Sequence, residues 1–342
     1  MKSSNRVLKI VGFSLLGIIG LVIVVVMGFF VATSGSYSVP ATVEDDPTLP
    51  SVTIDGVTFH AETFGDPSDP VVVVVHGGPG GDYGYLLNLH ALEDDYYVVF
   101  YDQRGAGLSS RVSADELTLQ SSMDDLHRIV THYGGGEPVR LIGHSWGAML
   151  AAAYVGQHPD SVTQVVLAEP GAMDNAGLER FNARQVASLR SADYYKLLVP
   201  TIFESLRLDG PDNQAQVDYI YGKMSANFVN TAASGYQCEG EMVTAVVPDV
   251  PVPPSRFGTT AYQTLFGIEN DLSPIADNAG NFQGDVLFIA SECNSFIGVD
   301  FQREQMQHFP QAELAVIADV GHEMFGENPA ASLAAVREFF GE

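Results

Sequence analysis

Lysine is scarce in this chain: only Lys2, Lys9, Lys196 and Lys223 occur among 342 residues. With 16 basic residues against 42 acidic ones, the formal net charge is −26. A surface that acidic repels nucleic acid and anionic lipid headgroups, which excludes both as partners. Cysteine is equally sparse. Cys238 and Cys293 are too few for a disulfide framework and wrongly spaced for zinc. They form either one bridge tying an inserted segment to the core in an oxidising exterior or two separate buried thiols. There is one tryptophan, at position 146, and neither internal repeats nor low-complexity tracts are present.

Long apolar runs, by contrast, are present. From Ile10 to Ala32 no charged residue occurs, and at 1.5 Å per residue such a helix crosses a hydrocarbon core of ~30 Å. A cleavable secretory signal has an apolar region of only ~7–15 residues and a small-residue cleavage site, which is not evident here. Residues 1–32 are therefore expected to be an uncleaved membrane anchor, with the bilayer as its partner. Lys2, Arg6 and Lys9 precede the run and Glu44, Asp45 and Asp46 follow it, so the positive-inside rule places the N-terminus in the cytoplasm and the main domain on the periplasmic or extracellular side. Residues 33–50, rich in Ser, Pro, Thr and Asp, look like a flexible linker.

Strand patterns follow: Val52–Ile54, an Asp55-Gly56 turn, Val57–Thr63, the five-valine run Val71–Val75, Tyr96–Tyr101, Val139–Ile142, Val162–Ala168, Val286–Ala290 and Leu314–Ile317. A continuous valine run marks a strand buried on both faces, as in a parallel sheet. Helical patterns at 122–133, 148–157, 300–308 and 330–340 alternate with these strands, which predicts a doubly wound α/β sheet. Between residues 171 and 275 the alternation stops and helical pieces with scattered aromatics take over. This segment is expected to be a helical cap inserted after the sixth strand, dividing the core into residues 51–170 and 276–342.

Gly143-His144-Ser145-Trp146-Gly147 lies between an apolar strand and a small-residue helix, so the chain must reverse sharply at Ser145. That is the strand-turn-helix context of a nucleophile elbow. A serine hydroxyl needs a base, and His322 follows the last strand at a fitting place. His322-Glu323 does not open a zinc-binding H-E-x-x-H helix, because residue 326 is Gly. Charge developing on a substrate oxygen needs preorganised donors. The Gly78 amide, in His76-Gly77-Gly78-Pro79-Gly80, and the Trp146 amide are the candidates. His76 and His144 read as structural hydrogen-bonding residues.

Together His76–Gly80, Asp102-Gln103-Arg104-Gly105-Ala106-Gly107-Leu108-Ser109 and Gly143–Gly147 resemble the proline iminopeptidase branch of the α/β-hydrolase superfamily. The resemblance covers Val52 to Ala168 well, the end from Asp285 moderately and the cap poorly. It implies an α/β-hydrolase fold with an eight-stranded core, a helical cap and neither metal nor organic cofactor, with Asp102 and Arg104 as loop-pinning residues. The family places an aspartate after the seventh strand, where this chain has Asn294. Losing that charge in a serine triad costs ~10⁴ in rate, so a substitute carboxylate is expected. Glu169 ends the sixth strand, ~4.8 Å from the seventh, an arrangement similar to that of some haloalkane dehalogenases. Glu292, Asp300, or Asn294 as a neutral orienter, are the alternatives.

Glu204, Glu239 and Glu241 in the cap are candidates for holding a substrate's free amino group, or else are solvated acids of an acidic protein. The tryptophan-rich glutamate motif of close proline iminopeptidases is missing. The expected function is a membrane-anchored serine hydrolase working through an acyl-enzyme, with short peptides as first substrate class and small or lipid-like carboxylic esters as second. A non-catalytic binding protein on the same fold is the third reading.

Overall fold

The structure, a computed structural model, describes residues 2–188, 192–229, 235–238, 250–266 and 271–341. Helix α1 (Lys2–Ala32) comes first, followed by a two-residue strand β1 (Tyr37–Ser38), then β2 (Ser51–Ile54), β3 (Val57–Phe64), β4 (Val71–Val75) and β5 (Tyr97–Tyr101). An α/β alternation continues through α2 (Leu119–Gly134), β6 (Val139–His144), α3 (Trp146–Gln157) and β7 (Val162–Ala168). The expected eight-stranded sheet forms in the order β10-β9-β7-β6-β4-β5-β3-β2, its last two members being β9 (Asp285–Ser291) and β10 (Ala312–Ile317). Within this sheet only β3 runs against the others, pairing antiparallel with β2 on one side and β5 on the other.

Alternation along β4 divides the core. Val73 and Val75 belong to the apolar layer that holds α2 and α3, while Val72 and Val74 face the opposite layer. Burying a strand on both faces removes each valine from water, at roughly 1.5–3 kcal/mol per side chain. Helix α3 packs unusually close because its residues are small. A Cβ on Gly147 would sit 2.0 Å from the Val75 carbonyl oxygen, so only glycine fits there.

Register places the site. Ala168 of β7 pairs with Ile289 of β9, and Ile317 of β10 pairs with Ser291. The residues after β7, β9 and β10 therefore emerge together at the carboxyl ends of the strands, where ligands bind in such sheets.

Between β7 and β9 come α4 (Asn175–Ser188), α5 (Ala192–Ser205), β8 (Leu208–Asp209), α6 (Ala215–Val229), α7 (Thr259–Leu265) and α8 (Ser273–Ala279). A buried ion network fastens this insertion. Arg256 donates to Asp218 (3.0 Å) and Asp212 (2.8 Å), and Asp218 also accepts from Arg111 (3.2 Å) and from the Thr259 amide (3.0 Å).

The linker is not a free leash. β1 pairs in parallel with β8, the Tyr37 ring lies against Tyr219, Arg256 donates to the Pro40 carbonyl (3.0 Å), and the Val43 amide donates to Leu108 O (2.9 Å). Polar composition suggested flexibility, but the polar groups of residues 37–43 find partners on distant elements.

After β9 the chain forms α9 (Val299–Gln305), and after β10 it forms α10 (Met324–Glu327) and α11 (Pro329–Phe340).

Candidate active site

Ser145 occupies the turn between β6 and α3 with φ 55° and ψ −119°. A non-glycine residue in that region is strained. The turn is over-determined, since the Ser145 amide donates to Ala168 O (2.9 Å) and its carbonyl accepts from Ala148 (3.1 Å) and Met149 (3.2 Å). Neighbouring glycines make the approach possible: a Cβ on Gly143 would fall 2.5 Å from Gly147 O.

His322, on the loop after β10, is held from three sides. Its amide donates to Tyr236 O (2.8 Å), its carbonyl accepts from His144 Nε2 (2.9 Å), and its Nδ1 donates to Glu169 Oε2 (2.6 Å). Nε2 takes no partner among the described residues, and Ser145 and His322 line the same cavity. Burial pushes the imidazole down, to about 3, so it is neutral at neutral pH, the form a base requires.

Glu169 is fully buried and has φ 42°. Besides His322 it accepts from the Ser291 amide (2.7 Å), from the Ser291 hydroxyl and from Asn294 Nδ2 (2.7 Å). Burial pushes its carboxyl up, to about 7, while the donors of Ser291 and Asn294 pull it down. Asn294 thus supports Glu169 rather than standing in for it, its own Oδ1 being taken by the Phe296 (2.9 Å) and Ile297 (3.0 Å) amides. The other two alternatives lie elsewhere. Exposed Asp300 pairs with Arg303 (3.1 Å), and exposed Glu292 accepts from the Asp319 amide (3.2 Å).

Gly78 lines the same cavity as Ser145, and Trp146 follows Ser145 at the start of α3. The Gly77 amide is occupied by the Tyr85 hydroxyl (2.8 Å), whereas the Trp146 amide opens α3 and, as a first-turn donor, has no carbonyl to bond. Tyr85 was not foreseen from the sequence. Its hydroxyl accepts from Gly77 and donates to His144 Nδ1 (2.7 Å), and His144 Nε2 reaches the His322 carbonyl. Glycine loop, elbow and histidine loop are thus joined in one chain of hydrogen bonds. Ser291 and Tyr236 were also missed; neither has a motif around it. His76 is structural, its Nδ1 donating to Gly77 O (2.8 Å) and its Nε2 accepting from the Gln103 amide (2.9 Å).

Asp102 accepts from His60 (2.8 Å), Tyr83 N (3.0 Å) and Leu108 N (2.7 Å), and Arg104 grips Asp125 with two bonds (2.7 and 2.6 Å). Cys238 and Cys293 are joined as a disulfide. The bridge ties residues 235–238, which hold His322 through Tyr236, to the loop that carries Asn294.

The cavity is about 890 Å³. Its walls include Phe181, Tyr219, Tyr236, Phe257, Tyr262 and Phe266, with Ser38, Val39 and Pro40 of the linker at one side. Of the cap glutamates, Glu204 is bonded to Lys223 Nζ and accepts from the Tyr219 hydroxyl (2.9 Å), which corrects its expected availability for an amino group. Glu239 and Glu241 lie outside the described residues. Among the described residues no group of His, Cys, Asp and Glu is arranged to hold a metal ion.

A family model for the alpha/beta hydrolase fold matches residues 70–329. The chain belongs to the α/β-hydrolase family. Among curated proteins, this hydrolase is 41% identical over 100 residues to a proline iminopeptidase of Heyndrickxia coagulans, a stretch covering 29% of this chain and 34% of the relative. It is 30% identical over 157 residues to epoxide hydrolase 3 of Xenopus tropicalis, covering 44% and 42%. The hydrolase thus spans well under half the length of either relative. The crystal structure of VinJ superposes with a TM-score of 0.60 at 19% identity, covering 84% of this chain and 96% of that one, a likeness of fold alone.

The titration of the buried pair is testable. Burial raises the Glu169 carboxyl to about 7, so a proton taken there near neutrality removes the negative charge that would stabilise an imidazolium at His322. kcat/KM toward an activated ester is expected to be full above about pH 7 and to fall below it. Ser291→Ala removes the hydroxyl donor that favours the charged carboxylate while keeping the amide donor, which raises that pKa further. The acid limb of the pH–rate profile should therefore move to higher pH, with a several-fold loss below neutrality. An unchanged limb would refute the link.

Proposed function

We propose that this hydrolase acts through an acyl-enzyme on carboxylic esters with an apolar acyl group. Ser145 attacks the acyl carbon while His322 Nε2 takes its proton. Glu169 keeps His322 in the required tautomer and stabilises the imidazolium as it forms. The Gly78 and Trp146 amides receive the developing oxyanion, His322 returns the proton to the leaving group, and water then releases the acid. The observation that carries this reading is the strained Ser145 turn opening onto the cavity that also receives His322, whose Nδ1 is held by buried Glu169.

The preference for esters comes from the cavity walls. An ammonium needs a carboxylate partner, yet Glu204 is bonded to Lys223. Glu323, the acid beside His322, is pushed by burial up to about 8, so until a cation approaches it presents a mostly protonated carboxyl. A second reading, an aminopeptidase on short peptides, is favoured by the proline iminopeptidase relative. The N-terminal helix, with Val11–Ala32 long and apolar enough to cross a membrane, is taken as the anchor, and the domain as lying outside the cytoplasm. The Cys238–Cys293 bridge fits that side, because disulfides persist in oxidising compartments.

Incubation with a fluorophosphonate probe, then with aminoacyl amides and p-nitrophenyl esters of increasing chain length, tests the whole reading. Labelling together with a preference for esters is the expected result. Faster turnover of aminoacyl amides would favour the peptidase, and absence of labelling would leave a binding protein.

A further inference from the structure

Helix α5 and the turn that closes it carry three large apolar side chains in water: Tyr195 is 54% exposed, Ile202 40% and, just past the helix end, Leu206 60%. Their spacings of seven and four residues put them on one face. Exposed apolar stripes of this kind call for a partner. Here the neighbour is known. The last turn of α1 packs beside this stripe, with Phe29 stacked on Phe203 (5.5 Å between centroids), and Arg207 bonded to the Phe30 carbonyl with its guanidinium over the Phe30 ring (4.1 Å). Most of α1 touches nothing, since the side chains from Val11 to Gly28 are exposed throughout. A few residues after Ala32, Ser38, Val39 and Pro40 line the cavity that contains Ser145.

We infer that the Tyr195–Ile202–Leu206 face of α5 lies in the interfacial layer of the bilayer that α1 crosses, so that the cavity opens beside the lipid surface and takes a membrane-resident acyl ester as substrate. This rests on the ester-hydrolase and anchor readings above and names the source of their substrate. An amphipathic helix lies in the interface plane with its apolar face toward the acyl boundary. The location of α5 at the exit of an apolar helix supplies that plane. Formal charge −26 opposes anionic headgroups, so the surface it meets is a neutral one.

The test uses the full chain in phosphatidylcholine vesicles that carry nitroxide-labelled lipid. Both native cysteines are bridged, so a single introduced thiol can be labelled with a fluorophore. Ile202→Cys reports on the stripe, Leu15→Cys on α1, and Glu338→Cys, on α11, serves as control. Strong quenching at 202 and 15 with little at 338 is expected. Quenching at 15 but not at 202 overturns the interfacial placement while leaving the anchor in place. Quenching at neither position overturns both. A label at 202 that is shielded from lipid quencher but self-quenches between labelled copies assigns the stripe to a second copy of the chain and overturns the proposal.

Activity supplies the second arm. Ile202→Glu with Leu206→Glu should lower turnover of a long-chain ester embedded in the vesicles by on the order of tenfold and leave a soluble short-chain ester unaffected. Equal losses on both substrates overturn the proposal. If this double variant does not fold, the quenching at 202 still decides the case. Fluorophosphonate labelling of Ser145 in the same vesicles reports separately on the hydrolase reading.

Discussion

Ser145→Ala is expected to abolish fluorophosphonate labelling and to reduce kcat on the order of 10⁶-fold, the scale set when a triad nucleophile is removed. The reason lies in the turn. With φ at 55° Ser145 faces the cavity, and the nearby Tyr85 hydroxyl is already engaged by the Gly77 amide and His144. Alanine keeps the Cβ and the backbone bonds to Ala168, Ala148 and Met149, so the thermal transition should hardly move. Denaturation and circular dichroism check the fold, and intact-mass measurement after probe treatment checks the chemistry. Labelling of the alanine variant at the unmodified rate would refute the assignment.

Glu169→Gln is the second large expected effect, about 10⁴ in kcat with little change in KM, as when a triad carboxylate becomes an amide. Glutamine keeps the size and can still accept from the Ser291 amide. However, it presents no charge to the imidazolium and can offer His322 Nδ1 an N–H where an acceptor is needed. Asn294→Ala removes one donor from the same carboxyl and should cost far less. Asn294→Asp tests the geometry from the other direction. A second carboxylate placed where Asn294 Nδ2 now lies 2.7 Å from Glu169 Oε2 raises the affinity of the pair for a proton, so activity should decline at neutral pH and recover as pH rises. Silence at Glu169 alongside severe loss at Glu292 or Asp300 would overturn this assignment.

The parts of the site carried by strands were legible in the sequence. Val71–Val75, Val139–Ile142 and Val162–Ala168 announce buried parallel strands, and once the order of a doubly wound sheet is assumed, the ends of β7 and β9 must meet. That adjacency is what led to Glu169, with no motif around it. Tyr85 was illegible because it sits in an irregular 3₁₀ segment, Gly84–Asp94, which has no period to detect. Glu204 looked available because nothing local reveals that Lys223, on the next helix, bonds to it. Residues 33–50 looked loose on composition, and that failed for the same reason: β1 gains its order from β8, some 170 positions later. In each case the deciding contact is tertiary, and local pattern carries no information about it.

The docked linker also changes how encounters should be counted. Because β1–β8, Tyr37–Tyr219 and Arg256–Pro40 fix the segment after α1 to the cavity wall, an α1 that serves as the proposed anchor would not let the pocket sweep a hemisphere of solvent as a domain on a leash would. With α1 in a bilayer, its freedom reduces to lateral diffusion and rotation about the membrane normal. Collision frequency then follows the surface density of substrate in the leaflet rather than its bulk concentration, and diluting the vesicles at constant composition should leave the turnover per enzyme unchanged.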